Sequence, residues 1–357
     1  MQITTKGIRK AYGSTVALND TDFTVEDGEF VTLLGPSGCG KTTFLRIIAG
    51  FIRPDKGSVL IGDTDITELQ PHKRGIGMVF QNFALFPHMT VGKNVGYGLR
   101  MRGEDKAVIA KKVEECLALV GLEGFEKRYP HQLSGGQQQR VAIARVLAIE
   151  PKVLLLDEPF GALDKKLRVQ LQIELKKLIN RLHITTLFVT HDQEEALIMS
   201  DRIAIMEAGN IVQCETPITI YDKPATEFVA SFIGNSNLID ARVASMEEGE
   251  IRLELEGMGA VVCPNLGGFA PDERARVLIR PENLRLSPED AEDEGLLPGQ
   301  VIFATHLGSY SDYEVRLDSQ RVVRVNEHRS GGLSNHKVGD KVKVSVVNQH
   351  ACAVYRP

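Results

Sequence analysis

The sequence predicts an α/β layer domain with a largely parallel sheet over residues 1–234, followed by a small all-β domain over residues 235–357. Two patterns and one loop carry that expectation. Up to about Gly234, short β-branched runs alternate with helical stretches, as in strands joined by helical crossovers. From about Asn235 the pattern turns to period-two alternation broken by turns, with no helical stretch between, which suits a small barrel or sandwich. Near the start, a Gly-rich loop separates an apolar strand from an apolar helix.

In the first domain the strand candidates are Phe30–Leu34, Val153–Asp157, Thr185–Thr190 and 202–206. Three of them run directly into polar residues, and in an open α/β sheet ligands sit at the carboxyl ends of strands. In the second domain the alternating segments are 251–256, 276–280, 313–317, 321–325 and Lys341–Val346. The acidic run 288–295 between strands reads as a solvated loop. No tandem repeat or low-complexity tract is present in the text.

A length of 357 residues suits about two domains. Lys and Arg number 42 against 47 Asp and Glu, a net charge of −5, which argues against duplex nucleic acid or an anionic bilayer held by bulk positive charge. The longest apolar runs, such as 153–156, fall far short of the ~18–20 residues of a membrane span. The five cysteines, at 39, 116, 214, 263 and 352, form no zinc-type pair, and the first ten residues carry no signal peptide; both fit the reducing cytosol.

The chemistry begins at the loop. Gly35, Pro36, Ser37, Gly38, Cys39, Gly40, Lys41, Thr42 and Thr43 spell GxxxxGKT between strand and helix. The glycines let the backbone turn its N–H groups inward at a helix N-terminus, where orphan donors and dipole both favour a phosphate. Lys41 is expected to reach the β and γ phosphates, and the Thr42 hydroxyl to hold Mg²⁺. A dinucleotide fingerprint fails, because Thr43 stands where its last glycine belongs.

A second strand, Val153–Asp157, ends in Asp157 and Glu158. An ionised carboxylate left unpaired in the interior is very costly, so these acids need a function. Asp157 is expected to hold Mg²⁺ through water, and Glu158 to polarise the water that attacks the γ phosphate. A third segment, Leu133, Ser134, Gly135, Gly136, Gln137, reads as an N-cap and two glycines opening a helix that stops before Pro151. Those glycines also expose backbone donors at a positive helix end, a second anion site.

The phosphate loop, LSGGQ at 133–137 and LDEP at 156–159 together resemble the ATP-binding-cassette (ABC) ATPases. That resemblance implies an ABC-type P-loop NTPase domain with a helical subdomain, followed by an OB-like, TOBE-type domain. It also implies residue roles. Tyr12 would stack on adenine. Gln81 would touch Mg²⁺ and the attacking water, and His191 would contact the γ phosphate and hold the lytic geometry with Glu158. Ser134, Gly135, Gly136 and Gln137 would bind the nucleotide of the opposite subunit, and Asp164 would lie on the segment facing that subunit. One phosphate loop and one LSGGQ per chain then mean that a second copy or a paralogue completes each site, and a homodimer with two sandwiched ATP molecules is the expectation.

Two positions depart from the family pattern. Gly161 replaces a common Ser beside Asp164, and Lys93 stands where a Glu often completes a capping box.

Residues 81–91 and 129–140 are similar to the ATPase subunits of bacterial binding-protein-dependent importers, and so is the β-rich tail with its Arg280-Pro281-Glu282. Such subunits sit on the cytoplasmic face of the inner membrane, docked on two permease subunits and served indirectly by a periplasmic solute-binding protein. The likeness is greatest to spermidine/putrescine importers, with 2-aminoethylphosphonate and ferric-iron importers near and sugar importers further off. A non-transport cassette ATPase would typically carry two cassettes or a coiled-coil insertion, and neither is found in the text. The tail is expected to serve as a dimerisation prop, with a ligand sensor as the alternative.

Overall fold

The computed structural model describes residues 1–356 apart from 161–164, 248, 266, 292–295, 329–335 and 348–351. The described chain divides into two compact units, Met1–Ile220 and Tyr221–Pro357.

The first unit holds two sheets. An antiparallel sheet of order β2-β1-β4-β5 is built from β1 (Ile3–Tyr12), β2 (Thr15–Val25), β4 (Lys56–Ile61) and β5 (Thr64–Asp65). The other has the order β10-β9-β3-β8-β7-β6, from β3 (Phe30–Leu34), β6 (Ile76–Val79), β7 (Val153–Asp157), β8 (Thr185–Thr190), β9 (Arg202–Glu207) and β10 (Asn210–Glu215). Its pairs are parallel except β10 on β9. The expected α/β class is observed.

Strands β3, β7 and β8 are buried at every residue, which is why they lack the in-out alternation of a half-buried strand. Successive side chains go to opposite faces. Val31, Leu33, Val153, Leu155, Leu187 and Val189 join one core with α1 (Lys41–Ala49), β1 and β2. Phe30, Leu154, Leu156 and Phe188 join the other. That second core takes in α2 (Val91–Val95), α3 (Tyr97–Met101), α4 (Lys106–Leu119), α5 (Gly135–Leu147) and α6 (Lys165–Leu182). Phe188 lies fully buried between the edges of Phe30 and Phe160, each 6.1 Å away. Truncating it to Ala would cost about 3–5 kcal/mol.

Helix α1 ends at Gly50, whose φ of 84° suits glycine. The buried guanidinium of Arg74 closes over that end, donating to the carbonyls of Ile47 at 2.9 Å and Ile48 at 2.8 Å. A Cβ on Gly50 would stand 2.4 Å from Arg74 Nε, so space as well as φ requires glycine here.

Helix α7 (Gln193–Met199) completes the first unit, α8 (Pro217–Asp222) spans the division and α9 (Glu227–Phe232) opens the second. Two five-stranded antiparallel sheets follow. One has the order β13-β12-β11-β14-β20, from β11 (Asn237–Glu247), β12 (Glu250–Leu255), β13 (Gly259–Pro264), β14 (Arg274–Ile279) and β20 (Ala353–Tyr355). The other has β15-β19-β16-β17-β18, from β15 (Leu284–Pro288), β16 (Leu297–His306), β17 (Tyr310–Leu317), β18 (Val322–His328) and β19 (Lys341–Val346). Both contribute to one core, including Val243, Ile251 and Val277 from the first and Tyr313, Val325 and Val344 from the second. In β12, Ile251, Leu253 and Leu255 are buried while Arg252 and Glu254 are exposed, the period of a half-buried strand. The all-β character expected of this region is observed; part of the acidic run, 292–295, lies outside the described residues. Among the described residues, no helix is long and apolar enough to cross a membrane.

Candidate functional site

Strand β3 ends at Leu34, and the next nine residues form the loop and first turn that the motif predicts. Two glycines are required by geometry. A Cβ on Gly35 would lie 2.3 Å from Met206 O, and one on Gly40, at φ 109°, would lie 2.4 Å from Ala17 O. Pro36, Ser37 and Gly38 are exposed at the crest, Cys39 is buried, and Thr42 and Thr43 are half-buried in the first turn of α1. Among the described residues no side chain caps that turn, so its N–H groups are available to an anion. Lys41 is buried, and its ammonium donates to Gly35 O at 2.7 Å and Pro36 O at 2.9 Å. A positive charge is thus fixed at the mouth of a ring of amide donors.

The parallel register brings the remaining groups to the same edge. Leu34 pairs with Thr190, Asp157 with Val189, and Val79 with Leu156, so β3, β8, β7 and β6 finish together. Gln81, Glu158 and His191 follow the ends of β6, β7 and β8. Glu158 has a φ of 44° and donates its N–H to Val189 O at 3.0 Å. Its carboxylate is held from both sides: Gln81 Nε2 donates to Oε2 at 3.2 Å, and His191 Nδ1 lies 3.1 Å from Oε1. The histidine side chain is 65% exposed, so the pair faces solvent.

Asp157, one residue earlier, is buried. Burial pushes its carboxyl above the ordinary value, with Arg46 opposing and Glu158 adding to the rise. An acid that is costly to ionise is one whose charge a cation would stabilise. The Thr42 hydroxyl, the Gln81 amide and the Asp157 carboxylate are hard oxygen donors of the kind Mg²⁺ prefers.

Behind His191 stands a network absent from the sequence reading. Glu195 on α7 is buried and accepts from Thr190 Oγ1 at 2.6 Å and Gln172 Nε2 at 3.2 Å. Thr190 Oγ1 in turn accepts from Asp192 N at 3.0 Å, and Asp192 caps α7 by accepting from the N–H groups of Glu194 and Glu195. Residues 190 and 192, on either side of His191, are therefore both tied down. Burial pushes the Glu195 carboxyl up, against the Thr190 hydrogen bond.

The 134–137 segment opens α5 as expected. Ser134 Oγ accepts from Gln137 N at 3.4 Å, and Gln137 Oε1 accepts from Ser134 N at 3.0 Å, a full capping box. Gly135 and Gly136 form the first turn. Among the described residues, no hydrogen bond joins this segment to the 35–43 loop. Tyr12 ends β1, 51% exposed, with Lys10 Nζ 5.7 Å from the ring centre. At Lys93, Thr90 caps α2 without a reciprocal bond, as the departure there implies. Asp164 and Gly161 lie outside the described residues.

Two further residues escaped the sequence reading. Asn94, fully buried, accepts from Phe86 N at 2.8 Å and donates to the carbonyls of Phe86, Met89 and Thr90. Arg145 on α5 donates to Ala84 O and Phe83 O at 2.7 and 2.8 Å. Both hold the segment that follows Gln81. A polar residue amid apolar helix positions, as Asn94 is between Val91 and Val95, was the one available signal.

Comparison with known proteins bears on the whole chain. A family model described as ABC transporter matches residues 18–161, and one described as TOBE domain matches residues 277–354. A Mesorhizobium japonicum protein named spermidine/putrescine import ATP-binding protein is 48% identical over 341 residues, covering 95% of this chain and 92% of that one. An Aliivibrio fischeri protein of the same name is 47% identical over 344 residues, covering 96% and 92%. Among solved structures, a dimeric ATP-binding cassette in a post-hydrolysis state bound to ADP and Pi is 37% identical. It matches with a TM-score of 0.55 over 60% of this chain and 98% of its own.

Proposed function

The chain belongs to the ABC transporter ATPases, in the family of the spermidine/putrescine import ATP-binding proteins, and on that premise we propose the following division of labour and mechanism. The protein is an ATPase that powers polyamine import. Residues 1–234 form the ATPase domain and 235–357 an accessory domain. It works as a homodimer on the cytoplasmic face of the bacterial inner membrane, docked on two permease subunits that receive polyamine from a periplasmic binding protein.

The observation that carries the reading is the carboxylate of Glu158, gripped by Gln81 and His191 at the strand edge that also bears the phosphate loop. The chemistry is phosphoryl transfer to water, in which positioning and charge stabilisation do most of the catalysis. Tyr12 stacks on adenine. The amides of 35–43 and the Lys41 ammonium hold the phosphates. Thr42, Gln81 and Asp157 would hold Mg²⁺, which would neutralise phosphate charge. Glu158 orients and deprotonates the attacking water, and His191 contacts the γ phosphate while fixing Glu158. Ser134, Gly135, Gly136 and Gln137, with Asp164, engage the nucleotide of the partner subunit, so ATP closes the dimer and hydrolysis opens it. Closure follows because ATP gains contacts only in the closed state.

The test is uptake of labelled putrescine, spermidine, 2-aminoethylphosphonate and ferric iron by cells whose sole copy is wild type or Lys41→Ala. Loss of polyamine uptake alone supports the assignment. Loss of another solute moves the substrate and leaves the ATPase mechanism intact.

A further inference from the structure

The loop after Gln81 is held in a conformation that its own residues disfavour. Phe83 and Ala84 have φ values of 58° and 45°, in the left-handed region that costs non-glycine residues and persists only where neighbours impose it. The neighbour is Arg145. Its guanidinium donates to Phe83 O at 2.8 Å through one terminal nitrogen and to Ala84 O at 2.7 Å through the other, and its Cζ lies 5.8 Å from the Phe86 ring centre. This two-pronged grip on consecutive carbonyls uses the planar fork of arginine, which a lysine ammonium lacks. Further along, Asn94 fastens the loop from Phe86 to Thr90. At its start Gln81 touches Glu158.

Arg145 sits on α5, the unbroken helix Gly135–Leu147 whose N-terminus carries Ser134 and Gln137. A helix of that length can carry a displacement as one rigid element. One end therefore faces the partner's nucleotide, in the reading above, while the other holds the loop that orients Gln81 toward this subunit's own. We propose that Arg145 is a positioning residue that links the two ATP sites. Docking of the α5 N-terminus on the partner's γ phosphate shifts the helix, and Arg145 carries that shift to residues 83–84, setting Gln81 against Glu158. Hydrolysis in one site thereby depends on occupancy of the other. This inference rests on the proposed roles of Ser134, Gln137 and Gln81.

The test uses the full chain with Mg-ATP as probe. Arg145→Gln should bind Mg-ATP with a Kd within about twofold of wild type, because Tyr12 and the 35–43 loop are untouched. Its kcat should fall about tenfold or more, the scale of losing charge-assisted bonds that position a reacting group. The dependence of rate on ATP concentration should lose any sigmoidal character. Amide exchange should quicken at 81–90 and stay unchanged in α5. Arg145→Lys, which keeps the charge and the fold but not the fork, should fall between the two; it carries the test alone if Arg145→Gln does not fold. An unchanged kcat in either variant, or a loss that follows ATP affinity, overturns the proposal. Failure of the ATPase reading itself would look different, since Glu158→Gln would then hydrolyse ATP normally.

Discussion

His191 Nδ1 lies 3.1 Å from Glu158 Oε1, while Gln81 Nε2 holds the other oxygen of the same carboxylate at 3.2 Å. Three residues far apart in the chain meet because β6, β7 and β8 are parallel neighbours that end in register. The arrangement orients one carboxylate by two partners on either side, leaving the histidine open to solvent and ligand.

His191→Ala should therefore lower kcat about 100-fold, the low end of what a positioned acid–base partner contributes, with Mg-ATP affinity nearly unchanged. The side chain is 65% exposed, so the substitution should leave folding intact. Single-turnover phosphate release beside equilibrium ATP binding separates the two effects. Equal losses in both would assign His191 to binding alone.

Glu195→Gln should stabilise the protein at alkaline pH. Burial raises the folded-state pKa of Glu195 above its unfolded value, so the folded form prefers the neutral acid. The associated stability is whole below the ordinary glutamate value, about 4.3, and is lost as pH rises through the folded value. A neutral amide escapes that loss, and Gln172 Oε1, which has no hydrogen-bond partner among the described residues, can accept from it. Thermal melts should show a gain of about 2–4 °C at pH 8, vanishing near pH 4. A gain independent of pH would point to packing instead.

Arg74→Met should destabilise the first unit by about 2–4 kcal/mol, since it strips donors from buried carbonyls. Its guanidinium serves Ile47, Ile48, Thr67 and Leu69. A lower denaturant midpoint with an unchanged m value is the expected result. No change in midpoint would show that water replaces the arginine at the end of α1.

The strands that position the chemistry were legible because of how they are buried. Phe30–Leu34, Val153–Asp157 and Thr185–Thr190 are buried on both faces, and their predicted bounds match the structure. The start of α5 was legible because Ser134 and Gln137 are a local capping signal. By contrast β11 mixes Asp240, Arg242 and Glu247 among its apolar residues and gave no clear period, and Asn237–Glu247 was not anticipated. Arg145 and Arg74 were illegible for another reason. Each satisfies carbonyls distant in sequence, 61 residues in the case of Arg145 and Ala84, and nothing local distinguishes such an arginine from a solvated one. The network around Glu195 was hidden in the same way, because its partner Gln172 lies 23 residues back on α6.

The central claim, that Glu158 commits ATP hydrolysis in a composite dimer site, is tested most directly by Glu158→Gln. The substitution preserves the shape of the side chain that Gln81 and His191 grip and removes the base. Phosphate release, retained nucleotide and light-scattering mass would be measured together in Mg-ATP. The account predicts hydrolysis reduced at least about 100-fold and a dimer that retains its ATP in the closed state, which the wild type holds only transiently. Turnover at the wild-type rate, or a variant that binds ATP and stays monomeric, would contradict it.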